Sequence, residues 1–300
     1  MARIKLIWQS KLLLLLVLPF AGADVVLQAH WWAVNCWQVA AWTMGLSFLL
    51  GLAVLQLRAA TPGGAFAGTV ITASLMFSTV TIIPGELFPY APWHTALLPM
   101  LALFFLTSAA TRLGRETKER LGTAERKQGR TTAQVTANLG VAALVSDGLA
   151  RTWLTGSRWL SHAPAALLLA AGLAALAEAA ADTVSSEVGQ VIGGQPRMIT
   201  TLRRVEPGTD GAISLVGTLA GAAAAVIVAA AGSLALDGGA AMFNVSCAGG
   251  VFGLFFDSLL GATLERRGWL NNDAVNFLST AGAAAFALGL IALSRHPVVG

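Results

Sequence analysis

Charged side chains are scarce in this sequence. Its 300 residues include 19 Lys or Arg and 15 Asp or Glu, so only 11% of the chain is charged, whereas soluble domains carry roughly a quarter. Cysteine is rare as well: Cys36 and Cys247 lie in separate apolar runs without CxxC spacing. That pattern supports neither a disulfide framework nor a zinc site. The shortage of charge excludes an ordinary soluble domain.

Long apolar runs make up most of the sequence. The chain is 56% hydrophobic with a mean hydropathy of +0.70, and uncharged runs of roughly 18 residues or more are long enough to cross a bilayer core. Membrane spans are predicted at residues 12–28, 34–57, 62–83, 93–110, 131–150, 163–181, 211–235, 240–263 and 273–294. None alternates with the period of two that a barrel strand requires. The sequence therefore predicts an all-α, polytopic integral membrane bundle of about nine transmembrane helices.

Basic residues predict the orientation of these helices. With the N-terminus inside, 16 of the 19 Lys and Arg fall in inner segments, and only Arg151, Arg158 and Arg295 lie outside. Positive charge accumulates on the cytoplasmic side of membrane proteins. The net charge of +4 is therefore interpreted as a topology signal, and no nucleic-acid partner is expected. We predict a bacterial inner-membrane protein with its N-terminus in the cytoplasm.

The N-terminal segment allows two interpretations. Basic residues precede Leu12–Leu18, and Ala21-Gly22-Ala23 resembles a cleavage site, which is the layout of a signal peptide and would leave eight helices. The same layout fits a retained first helix, which we favour. Residues 1–110 are rich in Trp and Leu with almost no polar groups inside the spans, whereas residues 111–294 are rich in Ala and Gly and carry polar residues inside them. As domains we assign N-terminal hydrophobic helices, residues 1–60, and a transmembrane domain that carries the functional site, residues 61–300.

Acidic residues within the later spans are the first candidates for a site. Glu178 and Asp182 are spaced i, i+4 and share a helix face, while Glu187 follows on the same helix. Two carboxylates one turn apart repel each other unless a cation lies between them, and hard oxygen ligands suit Mg²⁺. A solvated helix end is the alternative. Asp257 lies inside an apolar run, where a carboxylate is a functional candidate or an interhelical hydrogen-bond partner.

Two polar segments are predicted to face the same side. Asp273 and Asn276 begin the last span on one helix face, and Gln134 and Asn138 share a face just after the basic segment 112–130. The segment 112–130 itself alternates basic and acidic residues and is interpreted as a solvated amphipathic helix, with contact to anionic lipid as the alternative.

The loop between the sixth and seventh spans is a candidate phosphate site. Three arginines precede a Gly-rich turn that leads directly into a helix, whose N-terminus offers free N–H groups and partial positive charge. The candidate ligands in this loop are Arg197, Arg203, Arg204, Gly208, Thr209, Gly211 and Ser214. No GK[ST] follows, so this is not a P-loop. Helix capping combined with topology charge is the alternative reading.

Histidine is absent from the predicted inner side, since His30, His94, His162 and His296 all fall outside. A general base there must be a carboxylate, and charge must be stabilised by Arg, Lys or a metal. That restriction suits phosphoryl transfer, in which positioning and charge neutralisation supply most of the catalysis. It does not suit a Ser-His hydrolase.

Several ordered motifs resemble a known family. They are the acidic run from Ala177 to Gly189, Ile199-Thr200-Thr201, the stretch from Val205 to Gly217, the stretch from Arg130 to Asn138, and Asp257–Thr263 followed by Asn272–Phe277. Together they are similar to the DUF92 family, also called the transmembrane protein 19 family, over roughly residues 60–294. The more usual Asn after Thr209 is Asp210 here, the usual second Gly is Ala212, and residues 1–60 look unlike the family core.

The resemblance implies an activity, because plant members of the family are phytyl-phosphate kinases. It implies phosphoryl transfer from a nucleoside triphosphate, with CTP a candidate donor, to a prenyl monophosphate such as phytyl or geranylgeranyl phosphate. Glu178, Asp182 and Asp257 would be catalytic and, with Glu187, Asp273 and Asn276, would bind Mg²⁺ as the cofactor. Gln134 and Asn138 would join the phosphate or nucleotide site. The alternatives are a lipid or ion transporter and a cytidylyltransferase-like lipid enzyme. The oligomeric state is open, a homo-oligomer included.

Overall fold

The protein is an all-α bundle with one small two-stranded hairpin. A computed structural model describes residues 6–82, 90–124, 127–161 and 163–294; Arg3, Lys5, His162, Arg295 and His296 lie outside them. Helices in the described ranges are α1 Ile7–Asn35, α2 Trp37–Gln56, α3 Pro62–Ser78, α4 Leu97–Arg112, α5 Arg115–Leu121, α6 Thr132–Ser146, α7 Gly148–Gly156, α8 Ala165–Ile192, α9 Leu215–Ala235, α10 Gly239–Leu260 and α11 Asn272–Leu293. Strand β1 Arg197–Met198 pairs antiparallel with β2 Ala212–Ile213.

Each predicted span contains a helix, but the count of nine membrane spans is not confirmed. Six helices of the described chain are long and apolar enough to cross a membrane, namely α1, α2, α8, α9, α11 and α10 with the turn that extends it. A seventh is reached if α4 and α5, bent by 65°, form one span. Helices α3 and α6 have only 17 and 15 residues.

Local capping explains why some helices are shorter than their apolar runs. Thr61 caps α3 and Pro62 occupies its first turn, the position where a missing N–H costs nothing. Asp147 ends α6 and accepts hydrogen bonds from the backbone at the start of α7. Pro92–His94 form a separate 3-10 turn before α4. Helix α4 therefore begins later than the predicted span 93–110, and α6 ends earlier than the predicted span 131–150.

Helix α8 is the centre of the bundle. It packs against α4, α6, α9, α10 and α11, and its residues from Leu168 to Ala181 are buried. Small residues on α10 permit this packing: a Cβ atom at Gly250 would lie 2.8 Å from the Ala177 Cβ. Close approach through glycine and alanine is the usual way in which helices associate in lipid.

The N-terminal helices are joined to this core. Helix α1 packs on α2, α3 and α6, and it continues as helix through Ala21-Gly22-Ala23. Its first turn is also hydrogen-bonded to the loop before α11, since Gln9 Nε2 donates to the Trp269 carbonyl at 2.9 Å and Asn271 Nδ2 donates to the Leu6 carbonyl at 2.9 Å. Residues 1–60 therefore contact the site-bearing half directly.

The two ends of the bundle differ in charge. We call the end where α2, α4 and α8 finish and α3, α6, α9 and α11 begin the basic end; its described basic residues include Arg58, Arg112, Arg130, Arg266 and Arg267. At the far end, the His94 Nδ1 lies 3.4 Å from Asp237 Oδ2.

Candidate functional site

Three carboxylates from two helices meet near the basic end. Glu178 and Asp182 lie on consecutive turns of α8, and Asp257 on α10 faces them, close enough for the three carboxylates to interact electrostatically. Ser279 of α11 lies close to both Glu178 and Asp257, and its hydroxyl donates to the Asn276 carbonyl at 3.0 Å. The i, i+4 spacing on α8 thus produces the shared face that the sequence predicts.

Glycine on α10 makes room for the deepest of these acids. Glu178 is only 1% exposed, and a Cβ atom at Gly253 would lie 2.3 Å from the Glu178 Cγ. Glu178 Oε1 and Asp257 Oδ1 are buried without a hydrogen-bond partner. Buried polar atoms normally have partners, so these two oxygens have unused capacity to bind a ligand.

The donor set fits Mg²⁺ held jointly with phosphate. Among the described residues, no group of three or more His, Cys, Asp or Glu side chains is arranged to hold a metal ion. Mg²⁺ is usually bound through one or two carboxylates plus substrate phosphates and water. Asp182 and Asp257 both line one cavity and supply that number, and the Asp257 Oδ1 atom, which has no hydrogen-bond partner, is available.

A large polar cavity opens above the carboxylates. Its volume is about 1040 Å³, the upper range for a small-molecule site. Asp182 and Asp257 lie in its wall, whereas Glu178 lies below it. The predicted residues that line it are Gln134, Asn138, Asp182, Glu187, Gly208, Thr209, Gly211, Ser214, Asp257, Asp273 and Asn276.

Three helices begin at this cavity. The N-caps Thr131 of α6, Ser214 of α9 and Asn271 of α11 all line it. A helix N-terminus carries partial positive charge and attracts anions. The convergence of three such termini on one cavity produces a field that favours phosphate groups.

Arg130 is the basic residue nearest to the acids. Its Nη2 donates to the Thr183 Oγ1 at 3.3 Å, and its charge attracts the Asp182 carboxylate. The backbone around it is fixed, because Arg130 N donates to the Ala59 carbonyl at 3.0 Å. Gly129, at φ 76°, allows this contact, since a Cβ atom there would lie 2.4 Å from the Ala59 carbonyl carbon.

Acids outnumber bases in the cavity wall. The lining contains Asp182, Glu187, Asp210, Asp257, Glu265 and Asp273 against Arg130, Arg266 and Arg267. A bare polyphosphate would be repelled by the carboxylates, whereas a metal-bound polyphosphate would not. The charge pattern therefore favours phosphate accompanied by a divalent cation.

The loop between α8 and α9 divides its predicted ligands between two sides. Gly211 presses against the turn after α10, and a Cβ atom there would lie 2.3 Å from the Ala262 nitrogen. Gly208, Thr209 and Ser214 also face the cavity. The three arginines do not: Arg197, Arg203 and Arg204 are exposed and outside the cavity lining. Arg197 instead donates to the Leu202 carbonyl at 2.9 Å.

The remaining predicted residues already have protein partners. Asp273 Oδ2 accepts from Ser10 Oγ at 2.6 Å, and Asn276 Nδ2 donates to Asn138 Oδ1 at 3.2 Å. Gln134 completes a capping box at the start of α6. These contacts fix the cavity wall in place.

Glu187 is held apart from the other acids by a residue that sequence reasoning missed. Lys118 Nζ lies 2.6 Å from Glu187 Oε2, with only 1% of the lysine side chain exposed. Segment 112–130, interpreted from the sequence as a solvated helix, therefore contains a fully buried lysine. Arg130 and Ser279 were missed as site residues too. The position of Ser279, three residues after Asn276 in the same span, was the available signal for the serine.

Comparison with known proteins gives the family. A family described as "Integral membrane protein DUF92" matches residues 45–284. The chain belongs to the DUF92 family. The resemblance drawn from its motifs is thereby confirmed, and this DUF92 protein is an integral membrane protein.

Several curated proteins are similar to this DUF92 chain. The "Uncharacterized membrane protein sll0875" of Synechocystis is 36% identical over 66% of this chain and 74% of its own length. The "Uncharacterized membrane protein MJ0933" of Methanocaldococcus jannaschii is 35% identical over 66% and 77%. "Protein VTE6, chloroplastic" of Arabidopsis thaliana is 29% identical over 61% and 54%. No solved structure matches the DUF92 chain.

Proposed function

We propose that this DUF92 protein is a membrane-embedded kinase that transfers a phosphoryl group from a nucleoside triphosphate to a prenyl monophosphate. The observation that carries the proposal is the meeting of Asp182 and Asp257 with Arg130 in a cavity onto which three helix N-termini converge. Acids, a guanidinium and positive helix ends are the groups that phosphoryl transfer uses. The family resemblance to phytyl-phosphate kinases supports the same activity.

The reaction joins two phosphates and releases one nucleotide. An oxygen of the prenyl phosphate forms a bond to the γ-phosphorus of the donor, and the bond from that phosphorus to the β–γ bridging oxygen breaks. The products are a prenyl diphosphate and a nucleoside diphosphate. Mg²⁺, bound through Asp182 and Asp257, would supply neutralisation of the developing charge on the phosphate oxygens.

The protein's own groups have distinct tasks in this scheme. Arg130 binds the phosphate oxygens and holds Asp182 in place. Thr131, Ser214 and Asn271 present helix N-termini to the donor phosphates. The attacking phosphate is already anionic, so no dedicated base is required. Gly208 and Thr209, at the rim, exclude water as the donor fills the cavity.

Orientation and location belong to the same proposal: the cavity opens to the cytoplasm of a bacterium. The basic segments of the sequence support it. Replacement of Cys36 and Cys247 by serine and of exposed Leu202 by cysteine provides a test. A membrane-impermeant maleimide should label Leu202→Cys in inverted membrane vesicles and not in intact spheroplasts. The reverse labelling pattern would contradict the orientation.

A product assay tests the reaction. Purified protein is incubated with Mg²⁺, CTP or ATP labelled in the γ-phosphate, and phytyl or geranylgeranyl phosphate. Labelled prenyl diphosphate is expected from at least one pair, and its absence from all pairs would reject the kinase. Release of pyrophosphate with a nucleotidyl lipid would indicate a cytidylyltransferase instead.

Matched variants assign the site. Asp182→Asn and Asp257→Asn should each lower turnover by about a hundredfold or more, the scale of a lost charge-stabilising group. The control is Asp237→Asn, an exposed far-end aspartate that pairs with His94 and should keep full turnover. Equal loss in the control would show that the effect is not specific to the cavity.

A further inference from the structure

A second cavity lies beside the first and differs from it in chemistry. Its volume is about 560 Å³, and it is bounded by α2, α3, α4 and the start of α6. Helices α2 and α4 flank α3, whose facing residues are small: Gly64, Gly68 and Thr72 repeat every fourth residue. Small side chains on the middle helix leave the space open between its neighbours.

The deep wall of this cleft is mostly apolar, with Thr69 and Thr72 of α3 among its polar residues. Leu50 and Val54 line it from α2, and Met100, Leu103 and Phe104 line it from α4. Along α4 the lining runs from Met100 to Thr111, which corresponds to a depth of about 17 Å at about 1.5 Å per residue. A narrow apolar space of that depth accommodates a hydrocarbon tail and offers little to a polar headgroup.

The mouth of the cleft is strongly basic. Among the described residues, Arg58, Arg112, Arg115, Lys127 and Arg130 line it at the basic end, and Glu119 is the one acid beside them. Arg115 Nε lies 3.0 Å from Glu119 Oε1, so that acid is already neutralised. An apolar cleft with a cationic mouth matches an amphiphile with an anionic head.

Arg130 connects the cleft to the polar cavity, because it lines both. Its guanidinium contacts Thr183 on the carboxylate side, and its backbone joins the turn between α2 and α3 at the cleft mouth. A phosphate bound at Arg130 would therefore stand at the boundary between the two spaces.

We propose that the cleft between α2 and α4 holds the isoprenoid tail of the acceptor lipid, with its monophosphate at the basic mouth against Arg130. This assignment rests on the proposed kinase function for the identity of the lipid. The tail enters on the side of the N-terminal helices, and the nucleotide enters the polar cavity.

Photo-crosslinking tests the location without requiring turnover. Purified full-length protein in lipid nanodiscs is irradiated with geranylgeranyl monophosphate carrying a diazirine at the tail end, and labelled peptides are mapped by mass spectrometry. Label is expected on α2, α3 and α4, with competition by unlabelled geranylgeranyl phosphate and not by phosphatidic acid. Label confined to α8–α11, or equal competition by phosphatidic acid, would overturn the proposal.

A cleft-filling variant sharpens the test. A Cβ atom at Gly68 would meet only the Val135 Cγ1, at 3.7 Å, so Gly68→Phe extends into the cleft and should lower labelling by about tenfold. Gly289→Phe is the control, because a Cβ atom at Gly289 meets nothing within 4 Å and the residue lines neither cavity. Unchanged labelling in Gly68→Phe, with a native elution profile, would refute the assignment.

A mouth variant covers the case in which Gly68→Phe does not fold. Lys127 is exposed, so Lys127→Gln should fold normally. It should raise the KM for the prenyl phosphate severalfold and leave the KM for the nucleotide unchanged, since a charged hydrogen bond is lost only at the lipid head. A rise in the nucleotide KM alone would contradict the assignment. If the cleft is labelled but no turnover is found, the kinase proposal is rejected and the assignment of the cleft as a lipid site stands. If turnover is found but the label lies elsewhere, the kinase proposal stands and the assignment of the cleft is rejected.

Discussion

Variants of the Lys118–Glu187 ion pair test whether Glu187 has a structural role or a metal-binding one. Their charged atoms lie 2.6 Å apart, and the side chains are 1% and 13% exposed. Lys118 Nζ also donates to the Ala110 and Thr111 carbonyls, each at 2.9 Å. The ammonium therefore joins the end of α4 to α8, and the structure assigns the charge of Glu187 to neutralising it.

Replacement of Glu187 by glutamine removes that neutralisation. Removing one partner of a buried ion pair costs about 3–5 kcal/mol. The cost here should be about 2–4 kcal/mol, because Glu187 borders the water-accessible cavity and Lys118 keeps two carbonyl acceptors. Lys118→Met should cost less, about 1–3 kcal/mol, since the uncompensated charge left behind is the one that reaches water.

The double variant measures the pairing itself. Lys118→Met with Glu187→Gln should be more stable than the sum of the single changes predicts, by about 1–3 kcal/mol. Unfolding free energies would be measured by SDS titration of the protein in detergent micelles. Turnover would be measured in parallel, well below the lowest Tm, so that loss of folded protein is not mistaken for loss of chemistry.

An exposed pair on the same helix provides the control. Arg115 and Glu119 are 3.0 Å apart with side chains 42% and 50% exposed, so Glu119→Gln should change stability by no more than about 0.5 kcal/mol. The reasoning would be refuted if Glu187→Gln were as stable as the wild type yet inactive. In that case Glu187 would act at the reacting groups, as its position in the acidic motif suggested.

Three further predictions concern residues that shape the cavity. Gly253→Ala should displace the carboxylate of Glu178. Steady-state kinetics should then show a kcat lower by about tenfold and a nearly unchanged KM. An unchanged kcat would show that turnover does not depend on the position of the Glu178 side chain. Gly211→Ala should cost about 2 kcal/mol or more in SDS unfolding, because φ is 76° and its Cβ would overlap Ala262, and a neutral result would contradict the close approach. Asn271→Ala should cost about 1–2 kcal/mol through loss of the α11 cap and two bonds to α1, whereas Asn272→Ala, which is exposed, should cost almost nothing.

Helical periodicity made much of the site predictable. Glu178 and Asp182 share a face because α8 is regular from Ala165 to Ile192. Asp257 was identified because an acidic side chain within an apolar run must face polar groups in the interior of the bundle. Both inferences depend only on helix geometry and on the free-energy cost of burying a charge. Both can be applied to the sequence without knowledge of the tertiary structure.

Side-chain direction in loops was not predictable in the same way. Arg197, Arg203 and Arg204 were expected at the phosphates, but all three are exposed and lie outside the cavity lining. Lys118 belongs to a segment of alternating charge that resembles a solvated helix, and its burial depends on the 65° bend between α4 and α5. Such outcomes are decided by tertiary packing, which local patterns do not contain.

Helix length was the other property that composition overestimated. Apolar character continues past Ser146, yet α6 ends there because Asp147 caps the next helix. The hydrophobic pattern therefore located the helices correctly but not all of their ends, and six of the described helices, or seven if α4 and α5 form one span, are long and apolar enough to cross a membrane.

The first turn of α1 touches the wall of the polar cavity although the family match begins only at residue 45. Ser10 donates to Asp273, and Gln9 accepts from the Asn271 backbone at 2.8 Å. A segment cut to the matched residues would leave this wall without its outer support. Substitutions in the first turn of α1 are consequently a way to alter the shape of the polar cavity while every motif of the matched region stays unchanged.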